Sequence, residues 1–382
     1  MNDGDLCARH FETGQPIRVL WQNGRVLNIQ QPIEVVSPDL WIAPALTDLQ
    51  VNGYAGIDFQ QDQLPLSALV TATRQLSQAG CSRYLLTLIS DDWNRLIARL
   101  RHVRELRNMS AELRHAIVGW HIEGPFLSAQ PGFCGAHDPS VMIDPTDAHI
   151  RELRAITESD PLLLTMAPER AGALDAVRLA TSLGMLVSLG HTDATAEQIR
   201  DAVAAGARAF THLGNGCPRT LDRHDNILWR ILEQPDVMVS FIPDAIHVSA
   251  PFFRLAHRLL PSTAIYYVSD AMSAAAAGPG HYSIGRLEVE VGADQVVRLP
   301  GKPNFAGSAL RPIDGVFRAA QMLSEPWQEA WKKFSHAPAD LMGFPRALER
   351  GGRADFCLLR VDGQGRLKQL RTFVNGVEVK VS

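Results

Sequence analysis

The sequence contains little cysteine and no paired cysteine motif. Among its 382 residues there are five cysteines, an odd number, at widely separated positions: Cys7, Cys81, Cys134, Cys217 and Cys357. None of them shows the CxxC or Cys/His spacing of a structural zinc site or a redox pair. This pattern excludes a disulfide-stabilised scaffold and predicts reduced thiols, which are usual in the cytoplasm.

Charge and hydropathy exclude two further classes of protein. The formal net charge is −4, and the basic stripe or tail of a nucleic-acid-binding protein is missing. Proline, glycine or a charge interrupts every apolar run before the roughly 20 residues that are needed to cross a bilayer. The first residues also lack the charged and then apolar pattern of a signal peptide. We therefore expect a cytoplasmic protein with no membrane or nucleic-acid partner.

The two ends of the chain share a β-rich character. Short strand-like runs occur at 17–20, 24–29, 354–361 and 370–381, and the pairs Asn23-Gly24 and Asn375-Gly376 are typical hairpin turns. Strands at both ends predict one small β-sandwich domain built from residues 1–45 and 349–382. The main domain, residues 46–348, is then inserted between them.

The middle of the chain alternates between apolar runs and amphipathic helices. The apolar runs are 84–89, 116–120, 162–166, 185–189, 209–210, 237–242 and 264–268, and helical stretches include 66–79, 93–106, 171–183 and 196–205. Continuous apolar runs are typical of strands that are buried on both faces. The alternation predicts an α/β fold with a closed TIM-type (β/α)8 barrel, although a doubly wound parallel sheet would give the same pattern.

Polar residues follow five of these apolar runs at the point where each run ends. They are Glu123 (preceded by His121), His191, His212, His247 (preceded by Asp244) and Asp270. In a barrel, the catalytic groups lie at the C-terminal ends of the strands. Five such events in one chain are hard to attribute to chance, because each buried polar group without a partner costs free energy. These residues are therefore predicted to share one site.

Metal chemistry fits this set of residues. A catalytic zinc-type site takes three His or carboxylate ligands and keeps one position for water. Glu123, His191 and His212 would supply one carboxylate and two imidazoles. The reaction would then need a nearby carboxylate as acid/base, for which Asp270 is the natural candidate. Such ligands suit zinc and iron alike.

Short motifs surround these residues and occur in a definite order along the chain. They are Asp48–Tyr54 (DLQVNGY), Trp120–Phe126 (WHIEGPF), Ala167–Glu169 (APE), Gly190–Thr192 (GHT), Thr211–Asn215 (THLGN), Ser269–Met272 (SDAM) and Phe305–Ser308 (FAGS). Each motif is modest alone, but in this order they specifically resemble those of the N-acetylglucosamine-6-phosphate deacetylases of the amidohydrolase superfamily. The resemblance extends from about residue 43 to residue 343.

The resemblance implies a fold, an activity and roles for named residues. The fold is a barrel flanked by a β-sandwich from the termini, and the activity is the deacetylation of N-acetylglucosamine 6-phosphate to the free amine and acetate. Glu123, His191 and His212 match the metal ligands, and Asp270 matches the catalytic acid/base. The residues that match substrate-binding positions are Gln50, Ala136, His137, Asn215, Gly216, Arg223 and His247. An arginine at position 223 acting from a neighbouring subunit would fit a homodimer.

The residues after the first predicted barrel strand indicate that the site holds a single divalent ion. Many amidohydrolases carry His-x-His after the first barrel strand, where a second metal binds, but this chain has Gln50-Val51-Asn52. An amide is a poor ligand for zinc or iron. The resembling family also includes the Gln-x-Asn variant. We therefore expect one ion, zinc or alternatively iron.

Departures from the family pattern surround the substrate and not the metal. The sequence has Gly214-Asn215-Gly216-Cys217 where an aromatic residue usually precedes the Asn, and Asp244-Ala245 where the family has Asp-Gly. Two alternatives therefore remain. One is an amidohydrolase that acts on another N-acyl amine or an unphosphorylated amino sugar, and the other is a catalytically silent barrel that binds a small molecule. The sequence leaves open the sugar epimer, the need for a phosphate, the metal and the oligomeric state.

Overall fold

A computed structural model of the chain describes residues 2–300 and 305–380. The outermost residues of the predicted terminal domain, at positions 1, 381 and 382, lie outside the described part. The chain begins with four strands, β1 (Gly4–His10), β2 (Pro16–Gln22), β3 (Arg25–Gln30) and β4 (Leu40–Pro44). It changes sheet between Pro44 and Leu46, and the next strand belongs to the barrel.

The central part of the chain contains the strands of the barrel and one short hairpin. In chain order these strands are β5 (Leu46–Val51), β6 (Gly53–Tyr54), β7 (Ile57–Asp58), β8 (Cys81–Ile89), β9 (Ile117–Glu123), β10 (Leu162–Met166), β11 (Leu186–Leu189), β12 (Ala209–Phe210), β13 (Met238–Phe241) and β14 (Ile265–Tyr267). The strands β5 and β8 to β14 form one eight-stranded sheet in which every neighbouring pair is parallel.

The parallel sheet closes into a barrel. A bridge joins Val51 at the end of β5 to Ala271, which follows β14, and the backbone N–H of Asn52 donates to the carbonyl of Ala271 at 2.7 Å. The strands are buried along almost their whole length, as their continuous apolar sequences require. The predicted TIM-type barrel is therefore confirmed, and the doubly wound alternative is excluded.

Helices surround the barrel. They are α1 (Leu66–Gln78), α2 (Trp93–Met109), α3 (Ala111–Ala116), α4 (Asp147–Thr157), α5 (Ala173–Ser182), α6 (Ala196–Ala205), α7 (Ile227–Leu232), α8 (Ala250–Leu259), α9 (Pro312–Leu323) and α10 (Trp327–Met342). Local sequence fixes several of their starts. At α6 the Thr195 side chain accepts from the N–H of Gln198, and the Gln198 side chain accepts from the N–H of Thr195. This capping box satisfies donors that a helix end leaves free. In the described part of the chain, no helix is both long enough and apolar enough to span a bilayer.

A small antiparallel sheet near the C-terminal end of the barrel is an element that the sequence analysis missed. It consists of β15 (Gly280–Ile284), β16 (Leu287–Val291) and β17 (Val297–Arg298). Val289 and Val291 alternate with exposed glutamates and pack with Ile284 against Met272 and Ala306. The signal was the period-2 alternation of Leu287–Val291, which is typical of a strand with one buried face.

The chain ends with β18 (Phe356–Val361), β19 (Leu367–Val374) and β20 (Val377–Glu378), which join the first four strands. Together they form one seven-stranded sheet in the order β20-β19-β18-β4-β1-β2-β3. The sheet folds over on itself, as two contacts between its N-terminal and C-terminal strands show. The Trp21 indole donates to the carbonyl of Gly376 at 3.0 Å, and an antiparallel backbone β-bridge joins Arg25 to Arg353. A separate β unit from both termini is thus confirmed. The boundaries 1–45, 46–348 and 349–382 stay a prediction.

Candidate metal centre and active site

The polar residues predicted to share a site meet at the C-terminal mouth of the barrel. Glu123 is the last residue of β9, His191 and His212 follow β11 and β12 by two residues each, and Asp270 follows β14 by three. Parallel strands bring these ends to one side of the barrel. The sequence predicted this convergence because each residue is placed by the end of its own strand.

Glu123, His191 and His212 form a buried cluster. Their potential ligand atoms all lie within 4.8 Å of one another. The Glu123 Oε1 atom is 2.9 Å from His212 Nε2 and 3.4 Å from His191 Nε2. Burial alone would raise the pKa of Glu123, but the hydrogen bonds from His191 and His212 hold it well below its usual range. A carboxylate and two imidazole nitrogens at these separations suit one zinc-type ion.

The backbone at this mouth is strained. His191, His212 and Asp270 have φ angles of 51°, 35° and 51°, in the left-handed region that L residues other than glycine rarely adopt. Such strain costs of order 1–3 kcal/mol per residue and concentrates at functional sites. Three of the four candidate residues therefore sit in conformations that local propensity alone would not select.

Contacts behind the cluster fix the direction of its side chains. His191 Nδ1 donates to the carbonyl oxygen of Phe133 at 2.9 Å, which directs Nε2 toward Glu123. The Gln50 Nε2 atom donates to both Glu123 oxygens at 3.1 Å. Hydrogen bonds of this kind orient metal ligands and tune their basicity. Glu123, His191 and His212 fit a metal, because a carboxylate oxygen and two imidazole Nε2 atoms converge on one point.

Two glycines allow the loops to pack closely against His191. A Cβ atom at Gly216 would lie 2.8 Å from His191 Nδ1, and one at Gly135 would lie 2.8 Å from His191 Cε1. Both residues also have positive φ angles, 61° and 60°. A side chain at either position would therefore displace the imidazole. Gly216 was predicted as a substrate contact, and the structure adds that it supports a ligand side chain.

Asp270 is buried beside the cluster, and its carboxylate accepts a short hydrogen bond from one side chain. The Asn52 Nδ2 atom donates to its Oδ1 at 2.7 Å. Burial, together with the nearby Glu123 carboxylate, raises the pKa of Asp270 to about 7. A carboxyl group whose pKa lies near 7 is suited to both accepting and donating a proton at neutral pH.

Two further histidines face the cavity with defined surroundings. His137 is buried with its Nε2 atom 3.9 Å from Glu123 Oε2, and burial and the neighbouring His191 lower its pKa to about 3. His247 Nδ1 contacts Asp244 Oδ2 at 2.6 Å, and its ring centroid lies 5.1 Å from that of Phe305. His137 is therefore a neutral imidazole at neutral pH, and Asp244 orients His247.

A cavity of about 470 Å³ contains the cluster and opens at the barrel mouth. Its walls include the predicted residues Ala136, His137, Asn215, Gly216 and His247, together with Ile284 and Leu287 from the small antiparallel sheet. The volume is typical of a site for a small organic ligand.

Two predicted substrate residues do not line the cavity. Gln50 lies behind Glu123, and its amide nitrogen donates to both oxygens of that carboxylate. Arg223 is exposed on the loop between β12 and α7. Among the arginines of the described residues, Arg219 is the one that lines the cavity.

Sequence reasoning also missed the role of Asn52. Gln50 and Asn52 stand two residues apart at the end of β5, and their amides hold Glu123 and Asp270 respectively. The available signal was this spacing, since alternate residues of an extended segment share a face.

The chain is similar in sequence to several curated proteins of one kind, although no family model matches it. It is 28% identical over 307 residues to the N-acetylglucosamine-6-phosphate deacetylase of Vibrio furnissii, which covers 80% of this chain and 75% of that protein. It is 29% identical over 376 residues to the deacetylase of Bos taurus, covering 93% and 87% of the two chains. The deacetylase of Homo sapiens is 28% identical over 341 residues, covering 83% and 79%.

Solved structures give the same result. A mutant of the N-acetyl-D-glucosamine-6-phosphate deacetylase from Mycobacterium smegmatis, in complex with N-acetyl-D-glucosamine-6-phosphate, matches with a TM-score of 0.87 and 26% identity over 99% of this chain and 100% of that one. The deacetylase from Thermotoga maritima matches with a TM-score of 0.85 and 25% identity over 99% and 100%. The chain is therefore similar, in sequence and in fold, to N-acetylglucosamine-6-phosphate deacetylases of the amidohydrolase superfamily.

Proposed function

We propose that the protein hydrolyses N-acetylglucosamine 6-phosphate to glucosamine 6-phosphate and acetate. The observation that carries this proposal is the buried set of Glu123, His191 and His212 beside Asp270, in a cavity of about 470 Å³. The named activity of the similar deacetylases supports the substrate. We further propose that the enzyme acts in the cytoplasm.

One divalent ion, held by Glu123, His191 and His212, completes the site in this proposal. When bound, such an ion acts as a Lewis acid that lowers the pKa of water and polarises a carbonyl group. Gln50 and Asn52 occupy the end of the first barrel strand, and their amides already bond to Glu123 and Asp270. This arrangement supports a single ion. We propose zinc, because a carboxylate and two imidazoles are common zinc ligands, although iron takes the same donors.

Asp270 moves the protons of the reaction. Its carboxylate accepts a proton from the attacking water and then gives it to the departing nitrogen of the sugar. Asn52 holds the other side of this carboxylate at 2.7 Å and so keeps the reacting oxygen directed into the cavity. A pKa of about 7, raised by burial and then by Glu123, suits a group that must change protonation state twice in each turnover.

Residues around the cavity would orient the substrate. The neutral His137 can donate an N–H to the oxygen of the acetamide carbonyl, while Ala136, Asn215 and Gly216 contact the sugar ring. His247, oriented by Asp244, binds the phosphate. We assign Gln50 to the positioning of Glu123, because its amide makes two hydrogen bonds there.

An arginine would complete the phosphate site, and the chain offers two on the same loop. Arg219 lines the cavity of its own subunit, whereas Arg223 is exposed. We propose that Arg223 reaches the cavity of a neighbouring subunit in a homodimer. A guanidinium group suits this task because it donates two parallel hydrogen bonds to a phosphate.

The test is acetate release from N-acetylglucosamine 6-phosphate by purified protein of known metal content. The matched control is Asp270→Asn, which keeps the size of the side chain but cannot accept the proton. We expect turnover by the wild type and turnover slower by at least about 100-fold by the variant at equal metal content. Bound metal without turnover of this substrate would contradict the proposed reaction and favour another N-acyl amine.

A further inference from the structure

A second cleft lies at the opposite end of the barrel from the metal centre. It has a volume of about 620 Å³. One wall is formed by the starts of the barrel strands, with Arg83 in β8, Val118 in β9 and Pro161 just before β10. The other wall includes residues 344–346 and 349–353, which connect α10 to the terminal sheet. The cleft shares no lining residue with the cavity at the barrel mouth.

Arginine dominates the lining of this cleft, which we call the basal cleft. Its seven arginines are Arg25, Arg83, Arg107, Arg114, Arg346, Arg350 and Arg353, and Glu349 is the one carboxylate among its described lining residues. The chain as a whole carries a net charge of −4, so this concentration of positive charge is local. A cleft with walls of one charge focuses the electrostatic field and attracts ions of the opposite sign.

Three of the seven arginines have a carboxylate partner. The pairs are Arg107–Asp160 at 2.6 Å, Arg346–Asp340 at 2.5 Å and Arg353–Asp355 at 3.7 Å. For the other four, Arg25, Arg83, Arg114 and Arg350, no carboxylate of the described residues lies within 4.0 Å. The basal cleft thus retains positive charge that the protein itself does not neutralise.

Among the seven arginines of the basal cleft, Arg83 is the one that burial affects most. It is 3% exposed, its Nη1 atom donates to the carbonyl of Pro345 at 2.7 Å, and its Nε atom has no hydrogen-bond partner in the described part of the chain. Burial lowers the pKa of Arg83 to about 10, so the guanidinium remains charged at neutral pH. A buried charged donor without an acceptor costs free energy, which an anionic oxygen in the cleft would recover.

We propose that the basal cleft binds a small anion through a phosphate group, at a site separate from the substrate cavity. Arginine presents a planar fork that fits two phosphate oxygens, and the weaker hydration of a guanidinium favours such pairing over pairing with lysine. Arg25, Arg114 and Arg350 are exposed residues of the cleft lining, and Arg83 in β8 is its buried arginine. A volume of about 620 Å³ accommodates either inorganic phosphate or a phosphorylated metabolite.

The test is a calorimetric titration of the full-length protein with inorganic phosphate and, in parallel, with glucose 6-phosphate and adenosine monophosphate. The His247→Ala background weakens phosphate binding at the barrel mouth, so the remaining signal reports the basal cleft. Arg114→Gln combined with Arg350→Gln removes two exposed, unpaired charges without disturbing the core. We expect this double variant to weaken binding at least about tenfold, because charge-assisted hydrogen bonds are strong.

Two further variants sharpen the test. Arg83→Met removes the buried charge and should abolish saturable binding, with circular dichroism as the check that the variant folds. Arg346→Gln is the matched control, because Arg346 lines the same cleft but is already paired with Asp340. It should change the affinity much less than the double variant does.

The outcomes separate the sources of the phosphate and can overturn the proposal. Binding of inorganic phosphate alone, or of a phosphorylated metabolite with higher affinity, supports the basal cleft and identifies its ligand. Saturable binding that is unchanged in the double variant would place the anion elsewhere and overturn it. The absence of binding by all three probes at millimolar concentration, or binding of polyanions such as heparin only, would do the same.

Discussion

The base and the rim of the cavity at the barrel mouth are built differently. At the base, Glu123, His191, His212 and Asp270 are buried, stand at the ends of barrel strands and have partners at fixed distances. At the rim, Asn215 and Arg219 belong to a loop and are half-buried or exposed. Strand ends are held by the barrel, whereas a loop can vary without disturbing the core. We therefore expect the chemistry to depend on the base and substrate preference to depend on the rim.

The rim is also where this chain departs from the motifs of the deacetylases that it resembles. Residues 214–217 and Ala245 differ from the usual pattern, whereas the four residues of the base match it. Residues 214–217 line the cavity but are not among the candidate metal ligands, so we expect substitutions at the base to affect turnover. Substitutions at the rim should instead affect affinity.

The largest effect is expected from loss of a metal ligand. His191→Ala should remove most of the bound metal and lower kcat by at least about 1,000-fold, because Lewis-acid stabilisation of the reacting oxygen contributes several kcal/mol. Metal content by mass spectrometry and acetate release should fall together. The control is His121→Gln, which changes a buried histidine that bonds to Thr165 at 2.8 Å and does not belong to the cluster. Normal turnover by a metal-free His191→Ala protein would contradict the assignment of the base.

Loss of the acid/base should separate turnover from metal binding. Asp270→Asn should keep the ion but lower kcat by about 10²- to 10⁴-fold, the usual contribution of general acid–base catalysis. Steady-state kinetics with metal analysis on the same sample provides the measurement. If Asp270→Asn instead lost the metal in proportion to its activity, Asp270 would be a ligand and not a proton carrier.

The amide that holds Asp270 should have a smaller effect. Asn52→Ala removes the hydrogen bond of 2.7 Å to the carboxylate. We expect kcat to fall by about 10- to 100-fold, as is usual for residues that orient a functional group, while KM stays nearly constant. Asn52→Asp is the companion variant, because it keeps the shape but places a second negative charge beside Asp270. Full activity in both variants would show that the contact does not position the carboxylate.

The smallest effect should come from the rim. Arg219→Gln or Arg223→Gln should raise KM for the phosphorylated sugar by about tenfold with little change in kcat, because an arginine–phosphate contact contributes equally to ground-state and transition-state binding. The two arginines lie on one loop, and of the two only Arg219 lines the cavity of its own subunit. Mixing the Arg223→Gln protein with the Asp270→Asn protein tests whether Arg223 serves a neighbour. A large loss of kcat in either rim variant would break the distinction between base and rim.

The sequence was sufficient for the base because its residues are defined locally. An apolar run followed by His, Glu or Asp marks a strand end, and the barrel brings such ends together whatever the loops do. The prediction of the barrel and of one small β unit from both termini followed from the same local patterns. For this reason the amino-acid sequence alone could place Glu123, His191, His212 and Asp270 together.

The partners of these residues could not be predicted in the same way. Gln50 bonds to Glu123 across 73 positions of sequence, and Asn52 bonds to Asp270 across 218. Such pairs depend on the register between strands, which a single sequence does not contain. Arg219 lines the cavity and Arg223 is exposed because of the conformation of their loop. Long-range packing determines that conformation, so the sequence alone does not give it.

The most direct test of the account is the ratio of kcat/KM for N-acetylglucosamine 6-phosphate to that for N-acetylglucosamine, measured with one metal-loaded preparation. The account predicts a ratio of at least about 100, because a site built to bind a phosphate is left with unpaired charges when the phosphate is missing. Equal values for the two sugars, or no turnover of either by protein that carries its metal, would contradict the proposal that this protein is a deacetylase of the phosphorylated sugar.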